Sequence, residues 1–170
     1  MKVENIFLHC SAREYGDVLS IDRSHKARGW AGVGYHEVIL NGRPNPDSYF
    51  PFLDGQIHPG RYLDDDPFFE SQEIGAQVRY YNLKSIGICL IGKKSFTDNQ
   101  LISAKKVILH FINQFGLEIR DVLGHYEAEG TNKTCPNIPM DEFRKYLVDY
   151  MDLAYLQDCI ANHIKKIYGE

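Results

Sequence analysis

Residues 85–125 read SIGICLIGKKSFTDNQLISAKKVILHFINQFGLEIRDVLGH, and this stretch decides the fold class. Ser85 to Ile91 is a nearly unbroken apolar run, as expected of a strand buried on both faces. Thr97 to Phe115 switches to helical spacing. Leu101, Ala104, Ile108, Phe111, Ile112 and Phe115 recur at three- and four-residue steps, with Thr97 placed to cap the helix and Gly116 to stop it. Asp121 to Gly124 is again a short strand, and it delivers His125. Strand, helix, strand is the signature of an α/β domain.

The same alternation extends in both directions. Lys2 to His9 reads as a short central strand ending on a histidine, and the ends of such strands are where α/β folds gather ligands. Ser20 to Arg28 reads as a helix with Ser20 as N-cap and Gly29 as its stop. Gly32 to Leu40 is a second strand. Asn41 to Gln56 holds Gly42, Pro44, Pro46, Pro51 and Gly55 and is therefore a long loop, made unusually apolar by Tyr49, Phe50, Phe52 and Leu53. Ile57 to Tyr62 resumes the strand, Glu73 to Ala76 is a further short strand, and 140–150 and 152–167 are two closing helices. The fold class is α/β, a central mixed β-sheet flanked by α-helices in a single domain. Residues 1–150 form its body, and 151–170 a C-terminal helix packed on it.

Composition narrows the function. At 170 residues the chain can bury a core without disulfides, and 44% hydrophobic with 25% charged residues is ordinary for a soluble domain. A net charge of -4 gives no basic face for nucleic acid. No apolar run approaches the roughly 20 residues of a membrane helix, so no membrane insertion is expected. The N-terminus lacks the apolar core and cleavage site of a signal peptide, which predicts synthesis in the cytoplasm. Cys10, Cys89, Cys135 and Cys159 have no paired spacing and are expected as free thiols, one of which could serve as ligand or nucleophile.

The chemistry concentrates in Leu123 to Asn137, an irregular loop holding His125, Lys133 and Cys135. Histidine and cysteine are both zinc ligands, and His9 is the best third member. Three protein ligands leave the fourth tetrahedral position open, which is the catalytic arrangement. A Cys–His hydrolase with Cys135 as nucleophile is the alternative from these residues alone. A zinc deaminase is excluded, because His125-Tyr-Glu127 is not followed by Pro-Cys-x-x-Cys.

The neighbouring motifs are Phe7-Leu-His-Cys-Ser-Ala12, His25-Lys-Ala-Arg-Gly-Trp30, Val33-Gly-Tyr-His36, Gly55-Gln-Ile-His-Pro-Gly-Arg61, Ile74-Gly-Ala76, Tyr81-Asn82, Ser85-Ile-Gly-Ile-Cys89, Gly124-His125 and Lys133-Thr-Cys-Pro136. In this order, over about Val3 to Leu147, they resemble the zinc-dependent N-acetylmuramoyl-L-alanine amidases of the phage-lysozyme and peptidoglycan-recognition-protein superfamily, nearest to the phage and prophage endolysins. The resemblance implies Zn2+ in a surface groove on His9, His125 and Cys135, with Tyr35 and Lys133 as catalytic residues. It implies peptidoglycan or a muropeptide as substrate, hydrolysed at the amide between N-acetylmuramic acid and L-alanine. The protein would act on the cell wall after release, as a monomer. Relatives that bind peptidoglycan without cutting it, or that restrain an RNA polymerase, define the alternatives. Retention of Lys133 and Cys135 argues against the first.

Three departures stand out. Gln77 replaces a histidine common in relatives after Gly-Ala, and it cannot take up a proton. Glu37 follows Tyr-His and by strand alternation shares the face of Tyr35. It either assists proton transfer or meets a cationic group on the stem peptide, with a carboxylate at the solvated rim as the alternative, and it joins Gln77 and Asn82 as a substrate-binding candidate. The loop from Asn41 to Asp54 is longer than a tight hairpin and is either a groove wall or packing. His36 is expected to be structural, and His25 and Trp30 to pack. Cys10 is expected to point away from His9.

Overall fold

The computed structural model describes residues 1–64, 66–151 and 157. β1 (Asn5–Cys10) runs parallel to β4 (Ser85–Leu90) on one side and to β5 (Val122–Gly124) on the other. β2 (Glu37–Asn41) adds in parallel to β4, and β3 (Asp54–Pro59) closes the edge antiparallel to β2. The order β3-β2-β4-β1-β5 is thus a mixed five-stranded sheet, as expected. Every residue of β4 is buried, which explains why its sequence shows no polar alternation.

The two faces of the sheet are covered differently. α2 (Asp98–Phe115) packs across β2, β3 and β4, capped by Thr97 and ended by Gly116 in the left-handed conformation. Gln100, fully buried on it, donates to the carbonyls of Ile39 and Ile91 and so stitches helix to sheet. On the other face, α1 (Val18–Lys26) buries Ile21 against Val33, Val38, Leu40, Cys89 and Ile91. The N-cap of α1 is Asp17 and not Ser20, as expected from sequence. Ser20 is instead the third helical residue and completes a capping box with Asp17.

Two expected strands are corrected. Glu73 to Ala76 is a turn, held by the buried Glu73 carboxylate, which accepts from the backbone N–H groups of Asp64 and Glu70. The strand expected over 32–40 begins only at Glu37, because 32–36 follows an irregular path. Gly34 presses against residue 76, where a Cβ would lie 2.3 Å from the Ala76 carbonyl oxygen.

The chain divides into two compact units, Met1–Ile138 and Pro139–Glu170. In the second, α3 (140–151) buries Met140, Phe143 and Leu147, three or four residues apart on one face. The helix expected over 152–167, and Cys159 with it, lies outside the described residues apart from Gln157.

Candidate metal centre and groove

β1 carries Phe7 and His9 on one face, and the end of β5 carries His125 beside them, because the two strands are parallel neighbours in register from Ile6–Val122 to Leu8–Gly124. The loop after His125 folds back so that the Tyr126 N–H donates to the Cys135 carbonyl. At the far end of β1 the Cys10 N–H donates to Cys135 Sγ at 3.1 Å. The result brings donor atoms of His9, His125 and Cys135 within 4.8 Å of one another.

These residues fit a tetrahedral metal. Bond lengths of about 2.0–2.1 Å to nitrogen and about 2.3 Å to sulfur place two tetrahedral ligands about 3.6 Å apart. His9 Nδ1 lies 3.8 Å from Cys135 Sγ. Two imidazoles and a thiol form a donor set characteristic of zinc. Burial and the nearby His125 push the His9 pKa down to about 3, so its ring is neutral and able to ligate. Burial and the Lys133 ammonium lower that of His125. The Cys10 and Cys135 thiols lie against each other, so ionisation of one opposes that of the other.

The trio lies in a groove of about 1350 Å³ that also holds Tyr35 and Lys133. The Tyr35 ring sits 5.0 Å from that of His9 and 5.6 Å from that of His25. Burial, with the thiols of Cys89, Cys135 and Cys10 nearby, raises the phenol pKa well above its usual value, so Tyr35 stays a hydrogen-bond donor. His25 is buried, accepts the Gly34 N–H on Nδ1 and stacks on Trp30, whose ring forms part of the groove wall. His36 is structural: Nδ1 accepts from the Gly87 N–H and Nε2 donates to the Glu73 carbonyl.

Several sequence expectations are corrected here. Glu37 does not share the face of Tyr35. Tyr35 packs with Val38 and Leu40, whereas Glu37, paired with Ile88, alternates to the opposite face and lies outside the groove. The bend at His36 breaks the parity on which that expectation rested. Cys10 is a groove residue against Cys135, because β1 ends there and strand alternation ends with it. The 41–54 loop forms no wall of the groove; Gly42, Arg43, Pro44 and Leu53 instead border a separate cavity of about 200 Å³ beside α1.

Gln77 and Asn82 do border the groove, yet their polar atoms are turned inward. Gln77 bonds His9 and Ser85, and Asn82 Oδ1 accepts the N–H groups of residues 77 and 78. The sequence reading missed the charge of the lining. Arg13, Arg28, Arg61, Arg79, Lys93 and Lys133 meet a single acid, Glu129, in a chain that is acidic overall. No spacing rule marks these residues, because the fold gathers the six from six separate places in the chain.

A mixed sheet with two histidines and a cysteine converging in a cationic groove defines an α/β protein with a candidate metal site. Residues 1–138 match the family model described as N-acetylmuramoyl-L-alanine amidase, and the chain belongs to that family. It is 28% identical over 147 residues to the endolysin of Escherichia phage T7, covering 79% of this chain and 81% of that one. It is 25% identical over 150 residues to the endolysin of Klebsiella phage KP32, covering 82% and 83%. Among solved structures, the N-acetylmuramoyl-L-alanine amidase LysC of Clostridium intestinale superposes with a TM-score of 0.68 at 23% identity, over 86% of each chain. Drosophila PGRP-LB superposes with a TM-score of 0.61 at 24% identity, over 83% of this chain and 79% of that one.

Proposed function

We propose that the protein is a zinc-dependent N-acetylmuramoyl-L-alanine amidase that cleaves peptidoglycan in the manner of an endolysin. The observation that carries the reading is the convergence of His9, His125 and Cys135 within 4.8 Å, in the groove that also contains Tyr35 and Lys133. Zinc held by these three residues would supply Lewis acidity and bring the pKa of water toward about 7.

The remaining roles belong to side chains of this chain. Addition of water oxygen to the lactyl carbonyl places negative charge on the carbonyl oxygen. The Lys133 ammonium, two residues from Cys135, stabilises that charge. Tyr35, protonated and packed beside His9, donates a hydrogen bond to the same developing oxyanion. The C–N bond then breaks, the lactyl group keeps the water oxygen as a carboxylate, and the alanine nitrogen leaves with the proton that the water gives up. The basic lining suits a peptide stem that carries carboxylates. A PGRP-LB mutant has been solved in complex with tracheal cytotoxin, and its TM-score to this chain is 0.57. That likeness supports a muropeptide-sized ligand here.

Digestion of purified peptidoglycan with and without a chelator tests the reading. New L-alanine amino termini that vanish on chelation and return with zinc are expected. New reducing sugar ends would instead mean glycosidase chemistry, and chelator-insensitive cleavage would point to Cys135 as a nucleophile.

A further inference from the structure

Gln77 is 9% exposed, and its side chain lies over β4 at Gly87, the partner of Phe7 in the sheet. A Cβ at Gly87 would come within 2.8 Å of Gln77 Cγ and Cδ, so the glycine is what admits the side chain. From there Gln77 reaches His9 Nε2 with Oε1 at 2.5 Å and Ser85 Oγ with Nε2 at 2.7 Å. Ser85 Oγ in turn donates to the Tyr81 carbonyl at 2.8 Å.

The direction of every proton in this chain follows from its last member. A carbonyl only accepts, so the single hydroxyl proton of Ser85 is committed to Tyr81. Ser85 Oγ must then accept from the Gln77 amide, which places the amide NH2 at Ser85 and the amide oxygen at His9. An oxygen opposite His9 Nε2 requires a proton on that nitrogen. The lone pair of the neutral ring is left on Nδ1, the atom 3.8 Å from Cys135 Sγ. Asn82 accepts the backbone N–H groups of residues 77 and 78 at 2.8 and 2.9 Å, which anchors the main chain from which the Gln77 side chain extends.

We propose that Gln77 is a positioning residue whose bond to His9, directed by Ser85 and Tyr81, fixes the ring in its Nε2-protonated form and presents Nδ1 to the metal. Partners of ligand histidines commonly change metal affinity by about 10–100-fold when removed. The inference rests on His9 being a metal ligand, and two separate readouts keep the two ideas apart.

The first readout is the nitrogen NMR spectrum of the His9 ring in the metal-free protein. Wild type is expected to show protonated Nε2 and unprotonated Nδ1, and Gln77→Leu a mixture of both neutral forms. The second is zinc affinity by competition with a chromophoric chelator. Gln77→Leu and Gly87→Ala are expected to weaken it by about 10–100-fold. Gln77→Glu keeps an acceptor opposite Nε2–H and should restore it to near wild type. Ser85→Ala, which leaves Gln77 in place but frees its amide to flip, should lie between, and it serves if Gln77→Leu does not fold. An unchanged ring spectrum and unchanged zinc affinity in Gln77→Leu would overturn the inference. A wild-type protein with the expected ring spectrum but no zinc binding would overturn the metal reading instead.

Discussion

The backbone N–H of Cys10 donates to the sulfur of Cys135 at 3.1 Å, joining the end of the first strand to the loop that follows the last. That hydrogen bond favours the thiolate, the form in which cysteine binds metal, against the neighbouring Cys10 thiol and burial, which together push the Cys135 thiol up. Cys135→Ser is therefore expected to lose both bound zinc, read by atomic absorption, and turnover. Full turnover in a zinc-free Cys135→Ser protein would remove the thiolate from the reaction.

Lys133 is exposed at the groove, and among the described residues no hydrogen bond or ion pair of its ammonium holds the fold. Lys133→Ala should keep its zinc content and melting temperature while kcat falls by about 100-fold or more, the usual cost of removing an oxyanion donor. A fall in zinc content in parallel with rate would mean that the lysine acts on the site's assembly.

Glu37 is partly buried, and burial lifts its pKa to about 7 from 4.5. The folded protein thus holds a proton that the unfolded chain releases, and stability contributed by this group is lost as pH rises from 4.5 through 7. Glu37→Gln should melt higher than wild type at pH 8, with the gap closing toward pH 4.5. Because Glu37 lies outside the groove, its turnover should be unchanged.

His36 shows the opposite dependence. Burial pushes its pKa down to about 4 from 6.5, so acid protonates the unfolded chain first and stability falls as pH drops from 6.5 toward 4. From those two values the loss at pH 5 is about 2 kcal/mol. Urea unfolding at pH 7 and pH 5 checks this. His36→Asn should be less stable at pH 7 yet lose less on acidification, and an equal loss in both proteins would assign the effect to other groups.

Tyr80 adopts φ 71° with 76% of its surface exposed, beneath the guanidinium of Arg79. A left-handed backbone costs an L-residue about 1–2 kcal/mol, partly offset by the greater freedom of glycine in the unfolded chain. Tyr80→Gly should accordingly raise stability by about 0.5–1 kcal/mol in urea unfolding. The same variant assayed on muropeptide reports whether the strained ring serves the groove: a higher KM would say so.

What could be read from the residues alone follows from the range of the interactions involved. α2 is nearly complete in the sequence because its spacing lies within its own 18 residues and its cap and stop are the two residues that flank them. β4 is equally plain, since burial on both faces leaves only apolar residues after Ser85. The histidine–cysteine set could be assembled because residue type limits who can hold a metal. The faces of Glu37 and Cys10 could not, because alternation applies only inside a regular strand, and each residue sits at a strand end. Gln77 lay beyond reach for another reason. Its partners are His9, Ser85 and the space above Gly87, and no local pattern announces a contact 68 positions away.

His9 and Cys135 are separated by 126 positions, and the second arrives from the loop beyond the last strand of the sheet. A chain still on the ribosome, or one truncated before residue 135, carries His9 and at most His125 of this donor set and lacks Cys135. The donor set is therefore completed only by the last segment of the Met1–Ile138 unit, and a chain truncated before residue 135 is expected to lack both bound zinc and turnover.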